Sequence, residues 1–152
     1  MRVLFLCTGN SARSQIAEAL LRQITDGRVE VHSAGGQPKP KIHPMARDAV
    51  RKMFNIDMTG QSPKSLDGFL GQEFDYVISV CDRADAACPI FPGDTERIHW
   101  SLEDPAAVEG TDDEKRRAFE TTATDLMRRI RLWTSLPKVA EKAVLPAVGL
   151  TL

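Results

Sequence analysis

Val3-Leu4-Phe5-Leu6-Cys7-Thr8-Gly9-Asn10-Ser11-Ala12-Arg13-Ser14-Gln15-Ile16-Ala17 lies at the start of the chain, and three kinds of segment follow one another within it. Residues 3–6 are an uninterrupted apolar run, the pattern of a parallel strand buried on both faces. From Ser14 the apolar residues fall at helical spacing, through Ile16, Ala17, Leu20, Leu21 and Ile24. Between strand and helix runs a loop of small and polar residues with a cysteine at one end and an arginine at the other. Backbone N–H groups in such a loop, the positive end of a helix dipole and a guanidinium together suit a tetrahedral oxyanion. The same surroundings favour a thiolate, which would be aimed at the bound anion.

A cysteine and an arginine five residues apart arise by chance, and a buried structural cysteine in a strand–helix turn is the ordinary alternative. Three neighbours favour chemistry here: the cysteine ends an apolar strand, Gly9 permits close backbone approach, and Ser14 opens a helix. Cys7 is therefore the expected nucleophile, and Thr8, Gly9, Asn10, Ser11, Ala12, Arg13 and Ser14 are the expected oxyanion cradle. Ser11 or Ser14 could also hydrogen-bond the Cys7 sulfur.

Outward from this loop, strand-like and helix-like segments alternate. Residues 29–33 alternate as a strand and stop at Ala34-Gly35-Gly36, and a loop with Pro38 and Pro40 leads to a helix over 44–54, proline in its first turn. Residues 66–70 read as a short helix, 76–80 as a second core strand and 97–100 as a weaker one. Thr111 and Glu114 form a capping-box pattern that opens a long helix to about Trp133. The expected fold is α/β: a doubly wound, mostly parallel four-stranded sheet flanked by helices. Ligands bind such sheets at the carboxyl ends of the strands, where Cys7 and Cys81 both emerge.

The chain of 152 residues is long enough for a core without disulfide or metal staples. One catalytic domain is expected over residues 1–136, with 137–152 an apolar, proline-punctuated tail that the pattern does not place. A net charge of −1 gives no reason to expect nucleic acid or a membrane surface as partner. Three cysteines, an odd number, do not make a secreted disulfide framework. The apolar run after Arg2 stops at Leu6, short of the roughly 7–15 residues of a signal peptide. The chain is expected to be cytoplasmic, in a compartment that keeps thiols reduced.

Asp104, stiffened by Pro105, is a candidate general acid for a departing oxygen, or else an aspartate that caps a turn. Cys81 and Cys88 are seven positions apart, directly after a predicted strand. On a helix they would stand about 10 Å apart along the axis, whereas a disulfide needs Cα atoms within roughly 7 Å. Their spacing fits neither a zinc knuckle nor a Cys-x-x-Cys motif. Two inert cysteines are one reading; a thiol relay beside a thiolate nucleophile is the other. His43, before Pro44, reads as a turn or cap residue. His99 is expected to support the Asp104 loop. Lys115-Arg116-Arg117 and Arg128-Arg129 with Arg131 read as a solvated helix face.

The stretch from Leu4 to Ala19 resembles the phosphate loop and first helix of the low-molecular-weight protein tyrosine phosphatase superfamily. Val80-Cys81-Asp82, Ala87-Cys88-Pro89 and His99-Trp100-Ser101-Leu102-Glu103-Asp104-Pro105-Ala106 resemble one branch of it, the thioredoxin-coupled arsenate reductases. The resemblance covers roughly residues 2–133. It implies that Cys7 attacks arsenate held by Arg13 and the loop amides, with Asp104 as general acid. Cys81 would then attack the Cys7 adduct, releasing arsenite and leaving a Cys7–Cys81 disulfide. Cys88 would attack Cys81, and the Cys81–Cys88 disulfide would be reduced by thioredoxin. Some relatives hold potassium with an asparagine, a glutamate, a serine and an aspartate. Here Asn10, Glu18 and Ser33 match, but Lys64 stands where the aspartate would be, so neither metal nor cofactor is expected. Ala12 replaces another cysteine that relatives often carry.

A phosphotyrosine phosphatase is the nearest rival; it would share Cys7, Arg13 and Asp104 but need no further thiol. Ala106-Ala107 after the Asp-Pro pair, and a single tyrosine in the chain, argue for a small inorganic oxyanion. Weak phosphatase activity is expected as a by-product. A glutaredoxin-coupled reductase is disfavoured by the Cys81–Cys88 spacing, and a non-catalytic thiol sensor by the intact nucleophile, clamp and acid.

Overall fold

The computed structural model describes residues 1–145; the last seven residues of the expected tail, 146–152, lie outside the described residues. Four parallel strands form one sheet in the order β2-β1-β3-β4: β1 Arg2–Leu6, β2 Glu30–Ala34, β3 Tyr76–Ser79 and β4 Glu96–His99. β1 lies between β2 and β3, with Leu6 opposite Ala34 on one side and Ser79 on the other. The chain leaves β1 toward β2 and later returns to β3 on the opposite side. The carboxyl ends of β1 and β3 therefore flank the point where strand order reverses, the usual ligand crevice of an open parallel sheet.

Alternation along the strands separates two apolar layers. Val3, Phe5, Tyr76 and Ile78 face the larger one, built with α1 (Arg13–Ile24), α2 (Pro44–Phe54), α4 (Asp112–Ser135) and α5 (Pro137–Ala143). α4 contributes Phe119, Ala123, Leu126, Ile130 and Trp133, a stripe at three- and four-residue intervals on a helix whose outer face is charged. Its start is fixed as the sequence suggests, with Thr111 and Glu114 forming a reciprocal capping box. On the outer face Arg116 pairs with Asp113 and Arg129 with Asp125, a solvated surface. Residues 137–143, left unplaced by pattern, form α5, which buries Val139 and Ala143.

Leu4, Leu6, Ala34 and Val77 face the smaller layer, closed by Phe74, Phe91, a 3-10 turn at Leu66–Phe69 and the five-residue helix α3 (Asp82–Ala86). Both faces are covered, unequally: four helices on one side, short elements and loop on the other. Among the described residues no helix is long and apolar enough to cross a membrane.

Candidate active site

Residues 7–12 carry the chain from β1 into α1, with Ile16 N–H donating to Ala12 O in the first helical turn. The loop's outer edge is held by backbone bonds from residues 37–43. Gln37 N–H donates to Thr8 O (3.0 Å), Lys39 N–H to Gly9 O (2.9 Å) and His43 N–H to Ser11 O (2.9 Å). The Ser11 hydroxyl adds a bond to Lys41 O. Three loop carbonyls thus have their partners outside the loop, which leaves its amides for an anion on the other side.

A glycine outside the loop is packed tightly against the loop backbone. A Cβ on Gly9 would meet only the flexible Lys39 side chain, at 3.3 Å. A Cβ on Gly35 would meet Thr8 O at 2.5 Å, Cys7 O at 2.8 Å and Asn10 N at 3.0 Å. The residue after β2 must lack a side chain because the loop after β1 lies against it, and no local pattern reveals that.

Behind the loop lies a buried polar network. Lys64 N–H, which can only donate, bonds Asn10 Oδ1 at 2.8 Å and so fixes which side of the amide is oxygen. Asn10 Nδ2 then donates to Ser14 Oγ (2.8 Å) and Ser33 Oγ (2.9 Å). With Ser14 Oγ accepting from Asn10, its own proton is free for the Cys7 sulfur, 2.8 Å away. The Ser33 hydroxyl donates to Glu18 Oε1 at 2.7 Å. Gln15, anchored by Gln61, adds a bond to Asn10 Oδ1. Asn10 itself sits at φ 46°, a left-handed turn that an asparagine accepts and that this network offsets. The side chains of Asn10 and Ser14 are fully buried in this network; Thr8, Gly9, Ser11, Ala12 and Arg13 line the cleft in front.

Glu18 is almost completely buried, and two cations close around it: Arg22 Nη2 at 2.8 Å and Lys64 Nζ at 3.5 Å. An ammonium already stands beside the carboxylate that would share a potassium ion, so these residues do not fit that ion.

The cleft in front of Cys7 has a volume of about 470 Å³ and brings Cys7, Arg13, Cys81 and Asp104 together. Arg13 Nη1 donates to Leu102 O at 2.9 Å, which ties the guanidinium to the segment that carries Asp104. Asp104 caps the 3-10 turn Pro105–Ala107, its Oδ1 accepting from Ala106 N–H (3.0 Å), and it also lines the cleft. Lys39 and Arg83 add two cations to the wall, which the sequence reading missed because neither belongs to a motif.

His43 is the N-cap of α2: its Nδ1 accepts from Met45 N–H at 3.1 Å, and its ring stacks 4.5 Å from Phe119. Burial, helped by nearby Lys39, holds its pKa below the ordinary histidine value, which suits a nitrogen that must accept. Its ring also lines the cleft.

Cys81 follows β3 as the N-cap of α3. Its sulfur accepts from Ala84 N–H at 3.4 Å and lies 3.6 Å from Thr8 Oγ1. Cys88 is apart from it. The segment between them is helical over Asp82–Ala86, and Cys88 packs against the smaller apolar layer while Cys81 belongs to the larger. Burial pushes the Cys88 thiol up. All three thiols are free. His99 does not support the Asp104 loop: its ring bonds Asp82 and Ser79, because the end of β4 lies beside β3 and α3.

Comparison with known proteins agrees with this arrangement. An arsenate reductase of Halalkalibacterium halodurans is 36% identical over 136 residues, covering 90% of this chain and 96% of the relative. A solved arsenate reductase in its phosphate-binding state superposes with a TM-score of 0.66 at 28% identity, over 87% of this chain and 95% of that one. A thioredoxin-dependent arsenate reductase of Corynebacterium glutamicum superposes with a TM-score of 0.60 at 32% identity, over 87% of this chain and 62% of that one. Residues 2–144 match the model of the low molecular weight phosphotyrosine protein phosphatase family, and the chain belongs to that family.

Proposed function

We propose that this protein is a cytoplasmic arsenate reductase that passes its oxidising equivalents through Cys7, Cys81 and Cys88 to thioredoxin. The observation that carries the reading is a second thiol in the same cleft as the first. Cys81 follows the strand beside the one that Cys7 follows, and a hydrolase of this fold has no use for it. Relatives named arsenate reductase, one of them thioredoxin-dependent, support the same choice. Among the described residues no phenylalanine, tyrosine or tryptophan lines the cleft, which suits a small inorganic oxyanion better than an aryl phosphate.

In this mechanism Arg13 and the loop amides hold arsenate, and the Cys7 thiolate attacks arsenic, aided by the Ser14 proton. Asp104 protonates the departing oxygen, which leaves as water. The Cys81 thiolate then attacks the Cys7 sulfur: an S–S bond forms, the S–As bond breaks, and its electron pair reduces As(V) to As(III), released as arsenite. Cys88 attacks Cys81, freeing Cys7 as a thiolate and leaving a Cys81–Cys88 disulfide for thioredoxin. That last transfer requires the segment 82–88 to change shape, since its helix keeps the two cysteines in different layers. Weak phosphatase activity is expected from the shared loop.

Arsenate turnover coupled to thioredoxin, thioredoxin reductase and NADPH tests this. Wild type is expected to turn over many times and Cys88→Ser to stop after one. A variant cycling at the wild-type rate would refute the relay; coupling to glutathione and glutaredoxin alone would replace thioredoxin. Brisk aryl phosphate hydrolysis with no NADPH consumed by either protein would favour the phosphatase.

A further inference from the structure

Helix α3 is only five residues long, yet it is clasped to the strands behind it by its two acidic side chains. Asp82 Oδ1 accepts from His99 Nε2 at 2.8 Å and from the Ser101 hydroxyl at 2.9 Å. One turn on, Asp85 Oδ1 accepts from the Ser79 hydroxyl at 2.9 Å, and that Ser79 oxygen lies 2.8 Å from His99 Nδ1. The ring thus meets Asp82 through one nitrogen and, by way of Ser79, Asp85 through the other, and so bridges the two ends of α3. Arg97 closes the outer side, 3.8 Å from the Asp85 carboxylate and donating to Asp85 O. The His99 and Ser101 bonds, with Arg13 further off, hold the Asp82 carboxyl below the usual carboxylate range.

We infer that His99 is a latch on the thiol relay: it keeps α3 wound, and Cys88 away from Cys81, until the clasp opens. This rests on the proposed relay. There, the Cys88 thiolate attacks Cys81 of the Cys7–Cys81 disulfide; one S–S bond forms as the other breaks, and Cys7 leaves as thiolate with no net redox change. The clasp sits on the segment that this step has to move. Asp82 and Asp85 lie on the segment between Cys81 and Cys88, whereas Ser79 and His99 end β3 and β4 and Ser101 lies two residues past β4, none of which need move. Cys88 in its present niche, pushed up by burial, is also a poor nucleophile until it leaves. His99 is thus a positioning residue that acts through α3.

The test compares wild type with His99→Phe, which keeps a ring but loses both ring nitrogens, and with Ser101→Ala, which loses one bond to Asp82. In the reduced proteins, labelling of Cys88 by an alkylating reagent is followed peptide by peptide. In single turnovers with arsenate, acid-quenched samples are resolved into Cys7–Cys81 and Cys81–Cys88 disulfides. Labelling of Cys88 and the transfer to Cys81–Cys88 should both rise about ten- to a hundredfold in His99→Phe, the factor for roughly one hydrogen bond to a charged group. Ser101→Ala should show a smaller rise, and in both variants the transfer should speed up by more than the rate of Cys7–Cys81 formation changes. Unchanged labelling of Cys88, or a slower transfer, would overturn the latch. Faster labelling with no Cys81–Cys88 disulfide even in wild type would instead overturn the relay on which the latch is set.

Discussion

Replacing Gly35 by alanine should damage both stability and catalysis, although the change is one methyl group outside every motif. The added carbon would sit 2.5 Å from Thr8 O, 2.8 Å from Cys7 O and 3.0 Å from Asn10 N. Carbon and oxygen approach to roughly 3.3 Å, so the Thr8 carbonyl would have to retreat by about 0.8 Å. Neither side can give cheaply. Gly35 is pinned through both backbone groups, its N–H to Lys64 O and its O to Leu66 N–H, each at 2.9 Å, and Thr8 O is held by Gln37 N–H. Overpacking of this kind costs about 2–3 kcal/mol, which for a chain of this length lowers Tm by roughly 4–12 °C. Because the atoms displaced belong to the nucleophile loop, a shift approaching 1 Å should also slow the attack on arsenate about a hundredfold. Gly36→Ala is the control: nothing lies within 4 Å of its added carbon, so it should stay within about 0.5 kcal/mol of wild type. Thermal unfolding and single-turnover arsenate reduction measure the two effects. Wild-type Tm and rate in Gly35→Ala, or equal damage from Gly36→Ala, would refute the steric argument.

Ser14→Ala removes the proton offered to the Cys7 sulfur and should slow the first step roughly tenfold to a hundredfold, the value of a hydrogen bond to a charged atom; rapid-quench detection of the Cys7–Cys81 disulfide checks it. Asp104→Asn retains an oxygen to cap Ala106 but no acid, so Tm should hold while the same step loses about 10²–10⁴-fold. His43 favours its neutral form in the fold, with its pKa held below the ordinary value chiefly by burial. The unfolded chain then binds the extra proton first, so its contribution is full above about pH 6.5 and falls away as pH drops below that. Urea unfolding at pH 7.5 and 5.5 should show wild type losing a fraction of a kcal/mol more than His43→Asn, which caps the helix without titrating; parallel losses would refute the assignment.

Much of the fold is legible in the sequence because its signals are local. The apolar run of β1, the helical stripe of α4 and its capping box each depend on neighbours a few residues away, and each element forms where the pattern puts it. α5 is the exception: its seven residues carry too short a pattern, and it is burial of Val139 and Ala143 against the body that makes it a helix worth forming. The nucleophile loop is legible for the same reason as β1, since Cys7, Arg13 and Ser14 are close in sequence and their geometry follows from one strand–helix turn.

What the sequence by itself determined, then, is the sheet class, the strand–loop–helix turn that carries Cys7 and Arg13, and the positions of the three thiols along the chain. Only the tertiary structure decided how these work together. Gly35 is obligatory because two strand ends converge, the proton of Ser14 points at Cys7 because Lys64 orients Asn10, and His99 serves α3 instead of the Asp104 loop because β4 lies beside β3. Cys81 and Cys88, seven positions apart, end up in separate apolar layers. The physical reason is common to all four. Hydrophobic periodicity acts over one or two turns, whereas steric exclusion, proton direction and layer assignment are set by segments that meet only when the sheet closes.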